Sequence, residues 1–203
     1  MSETEPESRG TSRSGLIAVL VMLGIMWGIE VIDLILPWDF EQYGISSRDV
    51  SGLVGVPLAP FLHVDFGHLL ANTLPFLVLG LLVAWRAGRY FWQIFATIVI
   101  VGGLGVWLLG PSLTVTVGAS GVVFGFLAYL LVAGVLTRHW LDVLLAIAVF
   151  LLYGSLLVGA LPWGVSAGVS WLGHLCGALA GGLAAFWFAR RATGRERAQP
   201  AIE

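Results

Sequence analysis

The sequence has 203 residues, of which 58% are hydrophobic and only 11% are charged, and its mean hydropathy is +0.94. A water-soluble domain of this length cannot bury so much apolar surface, so the composition excludes a soluble globular protein and indicates a chain dissolved in lipid. The single cysteine excludes an intramolecular disulfide and a thiolate metal cluster. Nothing in the sequence suggests nucleic-acid binding, a metal ion or another cofactor.

Long apolar stretches without alternation predict helices, because lipid leaves only helices and closed barrels as ways to satisfy the backbone. A helix of about 20 residues crosses about 30 Å of hydrocarbon. Segments of this length occupy residues 15–36, 67–85, 91–109, 119–137, 141–161 and 169–189, and a long, partly polar loop occupies residues 38–66. The sequence therefore predicts an all-α membrane protein with a six-helix domain over residues 15–190.

The arginines set the expected orientation of these six segments. The chain has ten arginines and no lysine. If both termini are cytoplasmic, nine arginines lie inside and only Arg48 lies outside, as the positive-inside rule requires. We therefore expect a short disordered tail over residues 1–14 and a second tail over residues 191–203, both in the cytoplasm.

In this orientation the second, fourth and sixth segments all begin at the outer face. Ser120 lies in the first turn of the fourth segment and His174 about one and a half turns into the sixth, while His68 and Asn72 lie in the first two turns of the second. Polar side chains inside a membrane segment are unfavourable unless they pair or face a cavity. Their common depth, within about 10 Å of the outer face, therefore predicts that these four residues meet.

Glycines on the fourth and sixth segments provide a way for the serine and the histidine to meet. They recur every four residues, the spacing that lets helix backbones pack closely. The repeats comprise Gly121 and Gly125 on the fourth segment and Gly173, Gly177 and Gly181 on the sixth. Because Ser120 and His174 adjoin these repeats, we expect a tight crossing that brings the hydroxyl to the imidazole. For the glycines alone, ordinary helix packing is an equally good explanation.

A serine beside a histidine is the minimum for an activated nucleophile, because the imidazole accepts the hydroxyl proton and later returns it. The oxyanion that develops also needs hydrogen-bond donors. The backbone N–H of Ser120 at a helix start, the Asn72 amide and the His68 ring are suitable donors. No carboxylate is placed to orient His174, so the sequence predicts a dyad rather than a triad.

These motifs resemble those of the rhomboid intramembrane serine proteases. The resemblance rests on Gly118-Ala119-Ser120-Gly121, on His174 with the glycines that follow it, and on the upstream series His63, His68 and Asn72, and it covers roughly residues 15–190. It implies that Ser120 is the nucleophile and His174 the base. It also implies that His68, Asn72 and the Ser120 backbone N–H form the oxyanion hole.

Two positions depart from the family pattern. Phe124 stands where members often carry a tyrosine that packs on the histidine ring, so we expect stacking on His174 without the hydroxyl. The first loop has Gly55-Val56-Pro57 where many members have a Trp-Arg pair, which leaves the fold of this loop open. The resemblance also implies that the loop after the fifth segment and the fifth segment itself act as a movable cap and lateral gate, and a passive turn is the alternative.

The activity implied by the resemblance is cleavage of transmembrane segments near the outer leaflet. The partners would be single-pass or other transmembrane protein substrates within the lipid bilayer of a prokaryotic cell membrane. Three alternatives stay open: a non-catalytic protein of the same fold that binds membrane clients, a lipid acyl hydrolase, and a small transporter or channel. The polar groups crowd one end of the predicted bundle, which disfavours a transport path through the midplane.

Three other polar residues have structural interpretations. We expect His63 to make a hydrogen bond that stabilises the loop. Glu30 and Asp33, in the outer half of the first segment, are expected to bond the first loop or to face water. Cys176 is expected to be a buried packing thiol.

Overall fold

The computed structural model describes residues 13–36 and 38–193, and most of this part of the chain is helical. In chain order its α-helices are α1 (Arg13–Ile35), α2 (Gly55–Leu58), α3 (Phe66–Ala87), α4 (Phe91–Thr97), α5 (Gly103–Leu109), α6 (Ser120–Thr137), α7 (Trp140–Tyr153) and α8 (Trp171–Ala192). A π-helical stretch, Ile98–Gly102, joins α4 to α5. Most of the two predicted tails, residues 1–12 and 194–203, falls outside the described residues.

Five helical stretches in the described part of the chain are long and apolar enough to cross a membrane. They are Arg13–Ile35, Phe66–Leu109, Ser120–Thr137, Trp140–Ala160 and Trp171–Ala192. The expected all-α membrane protein is therefore confirmed. The count of six crossings and the cytoplasmic location of both termini remain predictions.

The count depends on the stretch Phe66–Leu109, which is 44 residues long and contains the second and third predicted segments. Gly88 interrupts it, because this residue ends α3 with φ of 53° and ψ of −122°. This is the left-handed half of backbone space, which glycine enters without the penalty that a Cβ imposes. A three-residue 3-10 turn, Gly88–Tyr90, then leads into α4.

The central helix of the bundle is α6, which packs against α3, α7 and α8. Its sequence is apolar on all sides, as expected for a helix that is surrounded by other helices rather than by lipid. Phe126 is fully buried and contacts the rings of Phe76, Phe91 and Phe95 at centroid distances of 5.8, 6.2 and 6.4 Å. This aromatic cluster forms part of the core between α3, α4 and α6.

The crossing of α6 and α8 is as tight as the glycine repeats predict. A Cβ on Gly177 would lie 2.0 Å from the carbonyl oxygen of Gly121, and a Cβ on Gly181 would lie 1.9 Å from that of Gly125. Any larger residue at these positions would separate the two backbones. The expectation of a close crossing is therefore confirmed.

The loop between α1 and α3 is folded against the segment that precedes α6. It contains 3-10 turns, the short helix α2 and strand β1 (Ile45–Ser46), which pairs antiparallel with β2 (Val115–Thr116). The N–H of Gly118 also donates to the carbonyl of Ala59 at 2.9 Å. Asp33 bonds this loop as expected, because its carboxylate accepts from the N–H of Phe40 at 3.3 Å. The loop thus supports the start of α6.

At the opposite end of the bundle, a buried polar cluster joins α3, α6 and α7. The guanidinium of Arg86 donates through Nε to Asp142 Oδ1 at 2.6 Å, and the Thr137 hydroxyl donates to Asp142 Oδ2 at 2.8 Å. Asp142 and Val149 are the buried residues of α7, whose remaining residues are at least partly exposed. The ion pair is therefore a main attachment of α7 at this end.

Candidate active site

Ser120 is the first residue of α6, and the turn before it holds the serine at the helix start. Gly118 has φ of +114°, and a Cβ there would come within 2.6 Å of the His68 ring. Ala119 occupies the N-cap position and has no side chain that can cap the helix. The first N–H groups of α6 lack intrahelical acceptors, so this turn presents backbone donors next to the serine hydroxyl.

The structure places Ser120 and His174 in direct contact. Ser120 Oγ lies 2.9 Å from His174 Nε2, and His174 Nδ1 lies 2.8 Å from the carbonyl oxygen of Gly159. Because a carbonyl oxygen can only accept, Nδ1 carries the ring proton and donates it to Gly159. Nε2 then has a free lone pair and accepts the serine hydroxyl proton. This tautomer is the one that a general base requires.

The ring of His174 is also held from one side by Phe124. The two ring centroids lie 4.1 Å apart and the planes differ by 9°. Phe124 is one turn after Ser120 on α6, and both aromatic rings are buried. The imidazole is therefore constrained by a stacking partner and by hydrogen bonds at both nitrogens.

The start of α8 is capped close to His174. Ser170 is the N-cap residue, and its hydroxyl accepts from the N–H of Gly173 at 3.1 Å. The backbone N–H of His174 donates to the Ser170 carbonyl at 3.2 Å. A serine at this position is a favourable helix cap, so the first turn of α8, which carries the histidine, is well defined.

His68 and Asn72 lie on the side of Gly118, at the start of α3. Asp65 caps this helix by accepting from the N–H of His68 at 2.7 Å, and Asn72 Nδ2 donates to the His68 carbonyl at 3.1 Å. The position that a Cβ on Gly118 would occupy lies 2.7 Å from His68 Nε2 and 3.8 Å from Asn72 Nδ2. Both side chains thus face the space beside the turn that precedes Ser120.

His63 stabilises the same turn from the first loop. Its Nε2 accepts from the N–H of Ala119 at 3.4 Å, and its ring centroid lies 5.1 Å from that of His68. Burial, with a smaller contribution from the neighbouring His68 and against an opposing hydrogen bond with the Phe61 backbone, lowers the pKa of His63 from 6.5 to about 4. His63 is therefore neutral at pH 7, and the expected loop-stabilising hydrogen bond is confirmed.

A cavity of about 480 Å³ adjoins the serine. Ser120 and His68 line part of it, and the residues of the π-helical stretch line a mostly apolar part. The segment Ala167–Ser170, just before α8, forms another part of its wall. An apolar cavity with a few polar groups at one side is typical of a binding site.

The main contact that sequence reasoning missed is the carbonyl of Gly159. It takes the place that a carboxylate occupies in a serine–histidine–aspartate triad. A backbone acceptor cannot be recognised from the identity of the residue, and Gly159 lies in an apolar stretch of the sequence. The only local sign is Pro162, three residues later. Because proline has no N–H, it cannot donate a 3-10 hydrogen bond to the Gly159 oxygen, which is left free for another donor.

The fold and the site define a helical membrane protein with a serine–histidine pair at the starts of two closely packed helices. A model of the rhomboid domain matches residues 48–191 of the chain. The chain therefore belongs to the rhomboid family.

Similar proteins occur in mycobacteria. An uncharacterized protein of Mycobacterium tuberculosis is 41% identical over 179 residues, which cover 85% of this chain and 74% of that protein. An uncharacterized protein of Mycobacterium leprae is 38% identical over 191 residues, which cover 91% of this chain and 75% of the relative. No solved structure matches the chain.

Proposed function

We propose that this protein is an intramembrane serine endopeptidase that cleaves transmembrane segments of other membrane proteins through a dyad of Ser120 and His174. The observation that carries the proposal is the 2.9 Å contact between Ser120 Oγ and His174 Nε2, made by a histidine whose other nitrogen is bonded to the Gly159 carbonyl. Membership of the rhomboid family supports the same reaction class.

In the first half of the reaction, Ser120 Oγ attacks the carbonyl carbon of the scissile peptide while its proton passes to His174 Nε2. The tetrahedral intermediate then collapses, the C–N bond breaks, and the Nε2 proton goes to the leaving amine. Water attacks the resulting ester with His174 again as the base, which releases the second product and restores the serine. Phe124 keeps the imidazole in plane throughout these transfers.

The negative charge on the tetrahedral intermediate is stabilised by donors around the Gly118–Ser120 turn. The Ser120 N–H belongs to the first turn of α6, where backbone donors and the helix dipole favour an anion. The side chains of His68 and Asn72 face the same side of this turn. Removing one such donor from a serine hydrolase costs about 10²–10³ in turnover.

The substrate is a membrane-spanning helix that unwinds near the outer leaflet of a prokaryotic cell membrane. With both termini in the cytoplasm, the starts of α3, α6 and α8 face outward, so water reaches Ser120 from the outer side. The cavity next to Ser120 accepts an apolar substrate side chain, and the segment Ala167–Ser170 forms part of its wall.

Labelling with a fluorophosphonate tests the nucleophile. We expect the wild-type protein in liposomes to be labelled and to cleave a model transmembrane substrate, and we expect Ser120→Ala and His174→Ala to lose both activities while unfolding at nearly the wild-type temperature. Ser166→Ala is a matched control, because Ser166 is exposed at the same end of the bundle and should not affect either activity.

The outcome of this experiment separates the alternatives. A client-binding protein would show neither labelling nor cleavage in the wild type. A lipid acyl hydrolase would be labelled on Ser120 but would release fatty acid from lipid instead of cutting the peptide. Wild-type cleavage by Ser120→Ala would overturn the proposal.

A further inference from the structure

The Gly159 carbonyl, which accepts from His174, belongs to a part of the bundle with few buried side chains. After Tyr153, helix α7 continues as a 3-10 segment, Gly154–Ala160, in which Ala160 is the only buried residue. The last turn of α7 is largely exposed, with Leu151 77% and Leu152 74% accessible. By contrast, α6 and α8 are held together along their glycine faces.

Local chain geometry explains why the Gly159 carbonyl is available. The last carbonyls of a helix have no intrahelical donor. The chain leaves the 3-10 segment at Leu161, which is extended with ψ of 146°, and the next residue, Pro162, has no N–H. The 3-10 bond that would use the Gly159 oxygen is therefore not formed, and that oxygen accepts from the imidazole instead.

Glycine at position 159 also lets the backbone lie directly against the stacked pair. A Cβ at this position would lie 3.1 Å from Phe124 Cζ and 3.4 Å from His174 Nδ1. The first of these distances is shorter than an ordinary van der Waals contact, so a larger residue would push the 3-10 segment away from the histidine.

We propose that the Gly159 backbone carbonyl is a positioning group for His174, and that Ser120 is reactive only while this hydrogen bond holds the ring proton on Nδ1. This inference rests on the proposed function. Without this acceptor, the ring proton is free to move to Nε2. That tautomer cannot accept the proton of Ser120, so the Gly159 carbonyl sets the reactivity of the dyad.

The test uses the full-length protein with ¹⁵N-labelled histidine in liposomes, and His174→Ala identifies the signals of His174. In the wild type at neutral pH we expect Nδ1 to be protonated and Nε2 to be unprotonated. In Gly159→Ala we expect a mixture of the two tautomers, a rate constant for fluorophosphonate labelling at least tenfold lower, and a fall in kcat with little change in KM.

Gly154→Ala is the matched control, since it makes the same change in the same 3-10 segment. Its Cβ would contact the side chain of Phe150, which is 55% exposed and free to move. We expect wild-type nitrogen signals and wild-type labelling for this variant.

Either of two results overturns the inference: a wild-type protein with the proton on Nε2, or a Gly159→Ala variant that keeps the wild-type nitrogen signals and labelling rate. The first does not depend on Gly159→Ala, so it stands even if that variant does not fold. Failure of the proposed function is seen separately, as a wild-type protein that does not react with the fluorophosphonate. In that case the Gly159 hydrogen bond would have no role in catalysis.

Discussion

Phe124 and His174 stack almost in parallel, with 9° between their planes and 4.1 Å between their centroids. This contact requires only an aromatic face, so Phe124 stacks on the imidazole as expected without a hydroxyl group. Because Phe124 and Ser120 lie on the same helix, one turn of α6 supplies both the proposed nucleophile and the aromatic surface that stacks on the proposed base.

Replacing Phe124 with leucine should slow the reaction of Ser120. An aromatic pair contributes about 0.5–1.5 kcal/mol beyond the burial of its area, which corresponds to a loss of about 2- to 13-fold in the labelling rate if the stack acts in the transition state. Phe126→Leu is the control, because Phe126 is also buried on α6 but contacts Phe76, Phe91 and Phe95. Both variants should lose stability, and equal labelling rates per folded molecule would contradict a role for the stack.

Adding a methyl group to Gly181 should separate α6 from α8. The new Cβ would lie 1.9 Å from the Gly125 carbonyl oxygen, and overpacking of this kind costs about 1–3 kcal/mol or more. We expect Gly181→Ala to lower the unfolding temperature in detergent by several degrees and to weaken labelling of Ser120.

Gly182→Ala provides the comparison for that change, at the next position of the same helix. Its Cβ would be 4.0 Å from the nearest atom, in the side chain of Val132. Its stability should stay within about 0.5 kcal/mol of the wild type. If the two variants were equally stable, the close crossing would not be a source of stability.

The neutral His63 predicts loss of stability in mild acid. Its pKa is about 4 in the folded protein and 6.5 in an exposed chain, so the unfolded state binds more protons between these values. Stability therefore falls as the pH is lowered from 6.5 towards 4, and the full shift corresponds to about 3 kcal/mol. Unfolding curves in detergent at several pH values should show a smaller pH dependence for His63→Gln. The same slope in both proteins would contradict this assignment.

Because Arg86 and Asp142 form a buried ion pair, we expect the effects of substituting them on the free energy of unfolding to be non-additive. Asp142→Ala leaves the Arg86 guanidinium without its partner, at a cost of about 3–5 kcal/mol. The combined change Arg86→Met and Asp142→Leu removes both charges and should recover most of that loss. A double-mutant cycle of unfolding free energies measures the coupling, and additive effects would show that the pair does not stabilise the bundle.

The helices were predictable from the sequence because a membrane segment needs a long apolar run and little else. The fourth predicted segment, residues 119–137, differs by one residue from the observed helix Ser120–Thr137. The proximity of Ser120 and His174 was predictable as well, since it follows from shared depth and from glycine spacing. The chemical roles of these residues are still predictions.

The remaining parts depend on contacts that no local pattern encodes. The fold of the first loop rests on pairing between Ile45 and Thr116, which are far apart in the chain. The partner of Arg86 is Asp142, 56 residues later. The acceptor for His174 is a main-chain oxygen, and residue types carry no information about which carbonyl remains free.

The order of the helices along the chain has a consequence for biosynthesis. Ser120 precedes His174 by 54 residues, and the histidine lies on the last helix of the described chain. Translation at about 5–20 residues per second separates their synthesis by roughly 3–10 s. During that interval the nascent chain holds Ser120 without the imidazole that the proposed mechanism requires. Under that mechanism, hydrolytic competence is acquired only when the last described helix has been inserted and packed.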